Sequence, residues 1–322
     1  MRHTLLGLSA ALACSFAAAP ALAADTFPAK PITLVVPFAP GSATDQIGRA
    51  IAQGITEQTG TAVVIENKPG ASAMIGAQYV ARAQPDGYTV LITTNTTHAA
   101  NEHLYKSLSY NPVKDYAPIT LLGKGGQIMV VNPNAKATTV KQFLDEARAN
   151  PGKLSFGSGS SSSRIAGELL QQMAGVQLLH VPYKSNPLAV TDLLGGQIDM
   201  MITDTATGLP QVKSGKLRAL GVTGTKRSAL APDVPTIAEA GVPGYEMGYW
   251  FAAYAPAGTP EPLVKRLHEL MVKATESNAA KQFYSSTGTD PVTSTPQELA
   301  AFQKDEAGKW GEIIKKAGIQ PE

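Results

Sequence analysis

Four consecutive serines, Ser160 to Ser163, follow Gly157-Ser158-Gly159 and precede Arg164. Hydroxyls and glycines so spaced suit either nucleophilic attack by an activated serine or capture of an anion. Attack calls for a G-x-S-x-G elbow or an S-x-x-K pair, and Gly157-Ser158-Gly159-Ser160-Ser161 fits neither. His98, His180 and His268 are conceivable bases, but none stands in a recognisable triad setting. An exported serine hydrolase is therefore the weaker alternative. A phosphate or nucleotide loop is weaker still: serine stands where G-x-G-x-x-G needs its third glycine, and no Walker lysine follows.

Anion capture fits the residues better. Ile165, Leu169 and Met173, flanked by Ala166 and Leu170, recur at helical spacing, and Gly175 can end the helix. The serines then form its first turn. A helix start leaves about four N–H groups unpaired and carries roughly half a positive charge. Glycines let an anion approach that backbone closely. Arg164 breaks the local rule by placing a cation at the positive end of the helix, at a cost of about 0.3–1 kcal/mol if exposed. Either it reaches a negatively charged ligand, or it is a solvated or carboxylate-paired surface arginine of little energetic weight.

The same device occurs earlier. Ile32 to Val36 reads as a buried strand, Pro37-Phe38-Ala39-Pro40-Gly41 as a turn, and Ile47, Ile51 and Ile55 as one face of a helix. Ser42 and Asp45 form an S-x-x-D capping box around Ala43 and Thr44. Two such turns suggest two halves facing one ligand, although each alone is an ordinary βα connection. Tyr88 to Thr93 predicts a strand whose tip, Thr93 to His98 with Asn95 at its centre, is rich in donors at the carboxyl end. His98 has no cysteine or second histidine at ligand spacing, so it reads as a surface or hydrogen-bonding residue, and no metal site is expected.

Strand and helix alternate onward. Strands are expected at 61–66, 128–131, 198–202 and 217–222, and helices at 75–83, 140–149 (capped by Thr139) and 191–194. Thr259 before Pro260, and Thr295-Pro296-Gln297-Glu298, announce two helices near the end. Tyr249, Trp250, Phe251 and Tyr254 form an aromatic cluster that serves either as core or as the wall of a site.

The chain begins Met1-Arg2-His3, runs apolar from Leu5 to Ala23 and offers Ala21-Leu22-Ala23 for cleavage, the pattern of a secretory signal peptide over residues 1–23. Cys14, the only cysteine, would leave with it; lipid attachment there is a rival, but Ala11-Leu12-Ala13 is a poor lipobox. The whole chain has 27 basic and 25 acidic residues, net +2. With charge so balanced and no basic stripe, nucleic acid is not an expected partner. No cofactor motif is present. The remaining length exceeds the usual single core and suggests two domains.

Several longer motifs resemble one family. Pro37 to Asp45, Glu66-Asn67-Lys68-Pro69-Gly70-Ala71, Val80 to Thr89, His180-Val181-Pro182-Tyr183-Lys184, Asp192 to Asp199 and Asp233 to Gly241 are similar to the Bug-type, or TctC-like, substrate-binding proteins of tripartite tricarboxylate transporters. That resemblance implies an α/β type II periplasmic-binding-protein fold, with two α/β domains, a ligand cleft and crossing hinge strands. It places domain I at 24–124 plus 246–322 and domain II at 125–245. It implies no catalysis and no cofactor, a periplasmic location in a Gram-negative cell, a small-molecule carboxylate as ligand and membrane permease subunits as partners. A monomer is enough for this work. The carried-over ligand loops are Phe38 to Asp45 and Ser158 to Ser163.

The departures are informative. Serine stands at Ser42, and asparagine at Asn186, where the family usually has glycine; the run of four serines and Arg164 replaces an asparagine- or glycine-rich loop with a histidine-like position. A permanent bidentate cation suits a carboxylate. The expectation is a dicarboxylate, one acid group on the two backbone turns and the other near Arg164. If Trp250 and Phe251 face the cleft, an aromatic dicarboxylate fits. Lys184 and Asp204 either join the site or are structural or solvated.

Overall fold

The computed structural model describes residues 27–322; the expected signal segment and Cys14 lie outside the described residues. Short β-branched runs, shielded on both faces, make the parallel strands. β1 (Ile32–Val36), α1 (Ala43–Thr59), β2 (Val63–Asn67), α2 (Met74–Ala81) and β3 (Thr89–Thr94) wind so that β1 lies parallel between β2 and β3. A wide π-type turn over Thr96–Ala100 runs into the short helix Asn101–Leu104, and β4 (Tyr116–Val131) then leaves this first lobe.

The second lobe follows as α3 (Val140–Ala149), β5 (Ser155–Ser158), α4 (Ser161–Ala174), β6 (Leu179–Pro182) and α5 (Asn186–Leu194). It is completed by β7 (Met200–Asp204), α6 (Thr205–Lys213) and β8 (Arg218–Val222). β9 (Gly248–Pro256) returns to the first lobe, where α7 (Glu261–Ala274), α8 (Asn278–Thr287) and α9 (Pro296–Lys316) close the chain. The strand order is β2-β1-β3-β9-β4-β7-β5-β6, with β8 also on β4.

β4 is much longer than the 128–131 strand read from sequence. Tyr116 to Gly126 pairs antiparallel with β9, and Gln127 to Val131 pairs with β7 and β8, so one strand serves both lobes. Pro118, Gly123, Gly125 and Gly126 disguise it; the ladder absorbs them as register shifts at 118–120 and 121–123. At the crossing, the buried Thr223 hydroxyl accepts from Gln127 N (2.7 Å) and donates to Met247 O (2.6 Å). Thr223 N donates to Gln127 O and Met247 N to Thr223 O, at 2.9 and 3.1 Å. The outgoing and returning strands are thereby bonded to one residue.

Two local expectations need correction. The helix after Pro260 begins at Glu261 with no side-chain cap, because the Thr259 hydroxyl donates to Pro256 O at 2.7 Å. His98 takes the hydrogen-bonding alternative and not the surface one: it is fully buried, its ring stacks on Tyr254 with centroids 3.9 Å apart, and Nδ1 lies 2.8 Å from Thr97 Oγ1. The aromatic shell that removes water from His98 is drawn from Tyr116 and Tyr254, far along the chain.

Burial pushes the His98 imidazole down to about 3. Its folded-state value lies below the usual 6.5 or so, so above that pH both states are neutral and its contribution is complete. As pH falls from about 6.5 towards 3, only the unfolded chain takes up the proton, and stability drops by about 1.4 kcal/mol per pH unit. His98→Phe should flatten this part of the melting-temperature profile between pH 6 and 4. An unchanged acid slope in the variant would assign the loss to other groups.

Candidate functional site

The two turns fold as their caps direct. Before α1, Gly41 adopts φ +81°, and Ser42 caps the helix by accepting from Asp45 N at 3.2 Å. The Asp45 carboxylate does not close the expected box; it accepts from Gly41 N, Arg49 and Asn67 Nδ2 at 2.9–3.0 Å. Burial raises its pKa, but these hydrogen bonds outweigh burial and hold the carboxyl below its ordinary value. Asp45 thus shapes the turn from behind. Before α4, Ser160 caps by accepting from Ser163 N at 3.2 Å.

Both turns open onto one small cavity of about 30 Å³. Phe38, Ser42, Ala43, Thr44 and Thr94 line it from the first lobe. Gly159, Ser160, Ser162, Asn186 and Asp204 line it from the second, and Tyr249 and Phe251 of β9 form a wall. Helix geometry leaves the amides of Ala43 and Thr44 in α1, and of Ser161 and Ser162 in α4, without acceptors one turn back. Partial positive charge from both lobes therefore meets at the cavity. Among the described residues, no lysine, arginine or histidine lines it, and Asp204 carries its one ionisable carboxylate.

The remaining candidates lie elsewhere. Ala39 and Gly41 sit on the outer turn, Lys184 is exposed, and Asn95 is buried with Oδ1 accepting from Thr94 Oγ1 at 2.6 Å. Ser161 Oγ donates to Asn101 Oδ1 across the lobes at 2.8 Å, and Ser163 Oγ donates to Ile202 O. Strand alternation separates the aromatics: Tyr249 and Phe251 share the cavity face, while buried Trp250 points the other way and meets Phe302 edge-on at 5.5 Å. Arg164 is not on the cavity; its Nη2 pairs with Glu322 Oε1 at 2.7 Å.

Thr94, Asn186 and Tyr249 are cavity residues that the sequence reading did not name as ligand contacts. Thr94 belongs to the donor-rich tip already singled out. Tyr249 is placed by Gly125: a Cβ there would lie 2.4 Å from the tyrosine hydroxyl oxygen, so only glycine lets the ring lie across β4.

Ser158 Oγ lies 2.7 Å from His180 Nε2, which is the spacing of a nucleophile–base pair. Ser158, however, is buried at the end of β5 and does not line the cavity. Burial, and then the nearby Arg164 charge, push His180 down to about 4, which makes it a poor base near neutrality.

Residues 47–319 match the tripartite tricarboxylate transporter family receptor, TctC. The chain belongs to this receptor family. A protein from the tcbD–tcbE intergenic region of Pseudomonas sp. strain P51 is 38% identical, over 97% of this chain and 93% of its own. The structure of the periplasmic binding protein BugD is 34% identical with a TM-score of 0.88, covering 92% of this chain and all of that one. R. palustris Rpa4515 with adipate is also 34% identical, with a TM-score of 0.89 and the same coverage. The fold is that of the Bug and TctC periplasmic binding proteins, and the receptor binds a solute rather than transforming it.

Proposed function

We propose that this receptor closes its lobes over a small organic dicarboxylate and presents it to the membrane subunits of a tripartite transporter. The observation that carries the reading is the meeting of two helix starts, one from each lobe, on a single cavity. Amides of Ala43 and Thr44 receive one acid group and that of Ser162 the other. Hydroxyls of Ser42, Thr44 and Ser162 complete the set, and Phe38, Tyr249 and Phe251 cover the carbon chain. This arrangement replaces Arg164 as the second seat. The adipate held by the R. palustris relative supports the ligand class. A planar aromatic diacid would lie against Phe251 but not Trp250.

We further propose cleavage after Ala23, export to the periplasm, and lobes spanning 24–124 plus 246–322 and 125–245. Ligand contacts from both lobes favour the closed over the open arrangement. One monomer supplies the whole cavity.

A thermal-shift screen of mono-, di- and aromatic dicarboxylates tests the function, since ligand at 100 times Kd adds about 2.7 kcal/mol of stability. Dicarboxylates should raise Tm more than their monocarboxylate analogues; no response to any acid would reject the reading. Arg164→Ala should weaken mono- and dicarboxylates equally and by less than about fivefold, as for a partly exposed ion pair. A selective loss for the diacid would return the second acid group to Arg164.

A further inference from the structure

We infer that Asn186 aligns the second-lobe anion seat and itself donates to the bound acid, a role that rests on the carboxylate reading above. The Asn186 side chain is buried between two fixed partners. Its Oδ1 accepts from Gly159 N at 3.0 Å, and its Nδ2 donates to Asp204 Oδ2 at 2.8 Å. Asp204 is in turn held by Thr207 N, which donates to Oδ1 at 2.8 Å. The relay therefore joins the starts of three helices: α4 through Gly159, α5 through Asn186 and α6 through Asp204.

This relay decides which way the amide points. A carboxylate accepts only, and a backbone N–H donates only, so the asparagine has one orientation that satisfies both. The amide of Gly159 is thereby turned into the lobe, and the following amides of the serine turn are left for the cavity. Asn186 Nδ2 carries two hydrogens, and Asp204 takes one. Asn186 and Asp204 both line the cavity, so the second N–H has a ligand oxygen as its natural acceptor. Because Asp204 leans on the amide and on the start of α6, its charge is partly compensated where an anionic ligand must sit. Selection follows from this geometry. An acid with an acceptor beside Asn186 gains a hydrogen bond, and one with a methylene there strands a buried donor.

The test uses the full mature chain, melting curves without ligand, and calorimetry with malate and adipate. Asn186→Asp sets two carboxylates against each other and should lower Tm by about 5 °C. Adding Asp204→Asn exchanges donor and acceptor, keeps every bond of the relay, and should return Tm to near the wild-type value. Both variants should bind malate and adipate at least about tenfold more weakly than wild type, because residue 186 no longer offers an N–H.

Failure of the exchange to restore Tm would overturn the relay. Restored Tm together with wild-type affinity would overturn the donor role. A wild-type protein that binds neither acid would reject the carboxylate reading, and the donor role with it, while the relay stands or falls on Tm alone.

Discussion

Ser162→Asp should abolish carboxylate binding while leaving the protein as stable as before, or slightly more so. Ser162 is the second residue of α4 and lines the cavity. A carboxylate in the first turn of a helix is stabilising by about 0.3–1 kcal/mol, because it meets the same unpaired amides. Placed here, it occupies the seat from within. An incoming acid then faces a like charge at close range, where two charges 4 Å apart repel by about 4 kcal/mol at an effective dielectric of 20. The expected loss of affinity is therefore at least about 100-fold, with Tm unchanged or raised by a degree or two. Ser162→Asn, neutral and of similar size to aspartate, separates charge from bulk and should lose far less. Wild-type affinity in the aspartate variant would mean that the start of α4 does not hold the acid.

Gly159→Ala should produce the largest loss of stability. An added Cβ would lie 1.9 Å from Ser185 C, 2.1 Å from Asn186 N and 2.3 Å from Ser185 O. These are backbone atoms, so no rotamer relieves the clash, and the serine turn must part from the start of α5. Overpacking of this kind costs about 3 kcal/mol, which lowers Tm by about 6 °C or more in a chain of this size. Binding should weaken as well, since parting the segments breaks the 3.0 Å bond from Gly159 N to Asn186. Gly175→Ala is the control: at φ +62° with no atom within 4 Å of an added Cβ, it carries only the left-handed backbone cost of about 1 kcal/mol. Equal effects at the two positions would show that close packing at Gly159 is unimportant.

Much of this site was legible in sequence because helix caps act over three or four residues. Thr139 with Gln142 N and Thr295 with Glu298 pair as their spacing implies, Ser42 with Asp45 N makes half of the expected box, and Ser160 with Ser163 N follows the same spacing. The two helix starts that meet at the cavity follow from these local signals. What could not be read depends on contacts between distant segments. Arg164 left a choice between a ligand and a carboxylate partner, and the partner, Glu322, lies at the far end of the chain. Asn186 stood out only as a departure from the family's glycine, and only the fold brings Gly159 and Asp204 to either side of its amide. Trp250 and Tyr249 are adjacent and chemically alike, and the register of β9 against β4 assigns one to the core and the other to the cavity.

Thr223 gives the lobes a mechanical property of their own. Two separate connections between lobes would permit shear and twist as well as swing. Here one hydroxyl is bonded to both connections at once, so neither strand slips past the other without breaking its bonds. Sliding of one connection along the other would therefore cost these bonds in addition to those of the β4–β9 ladder.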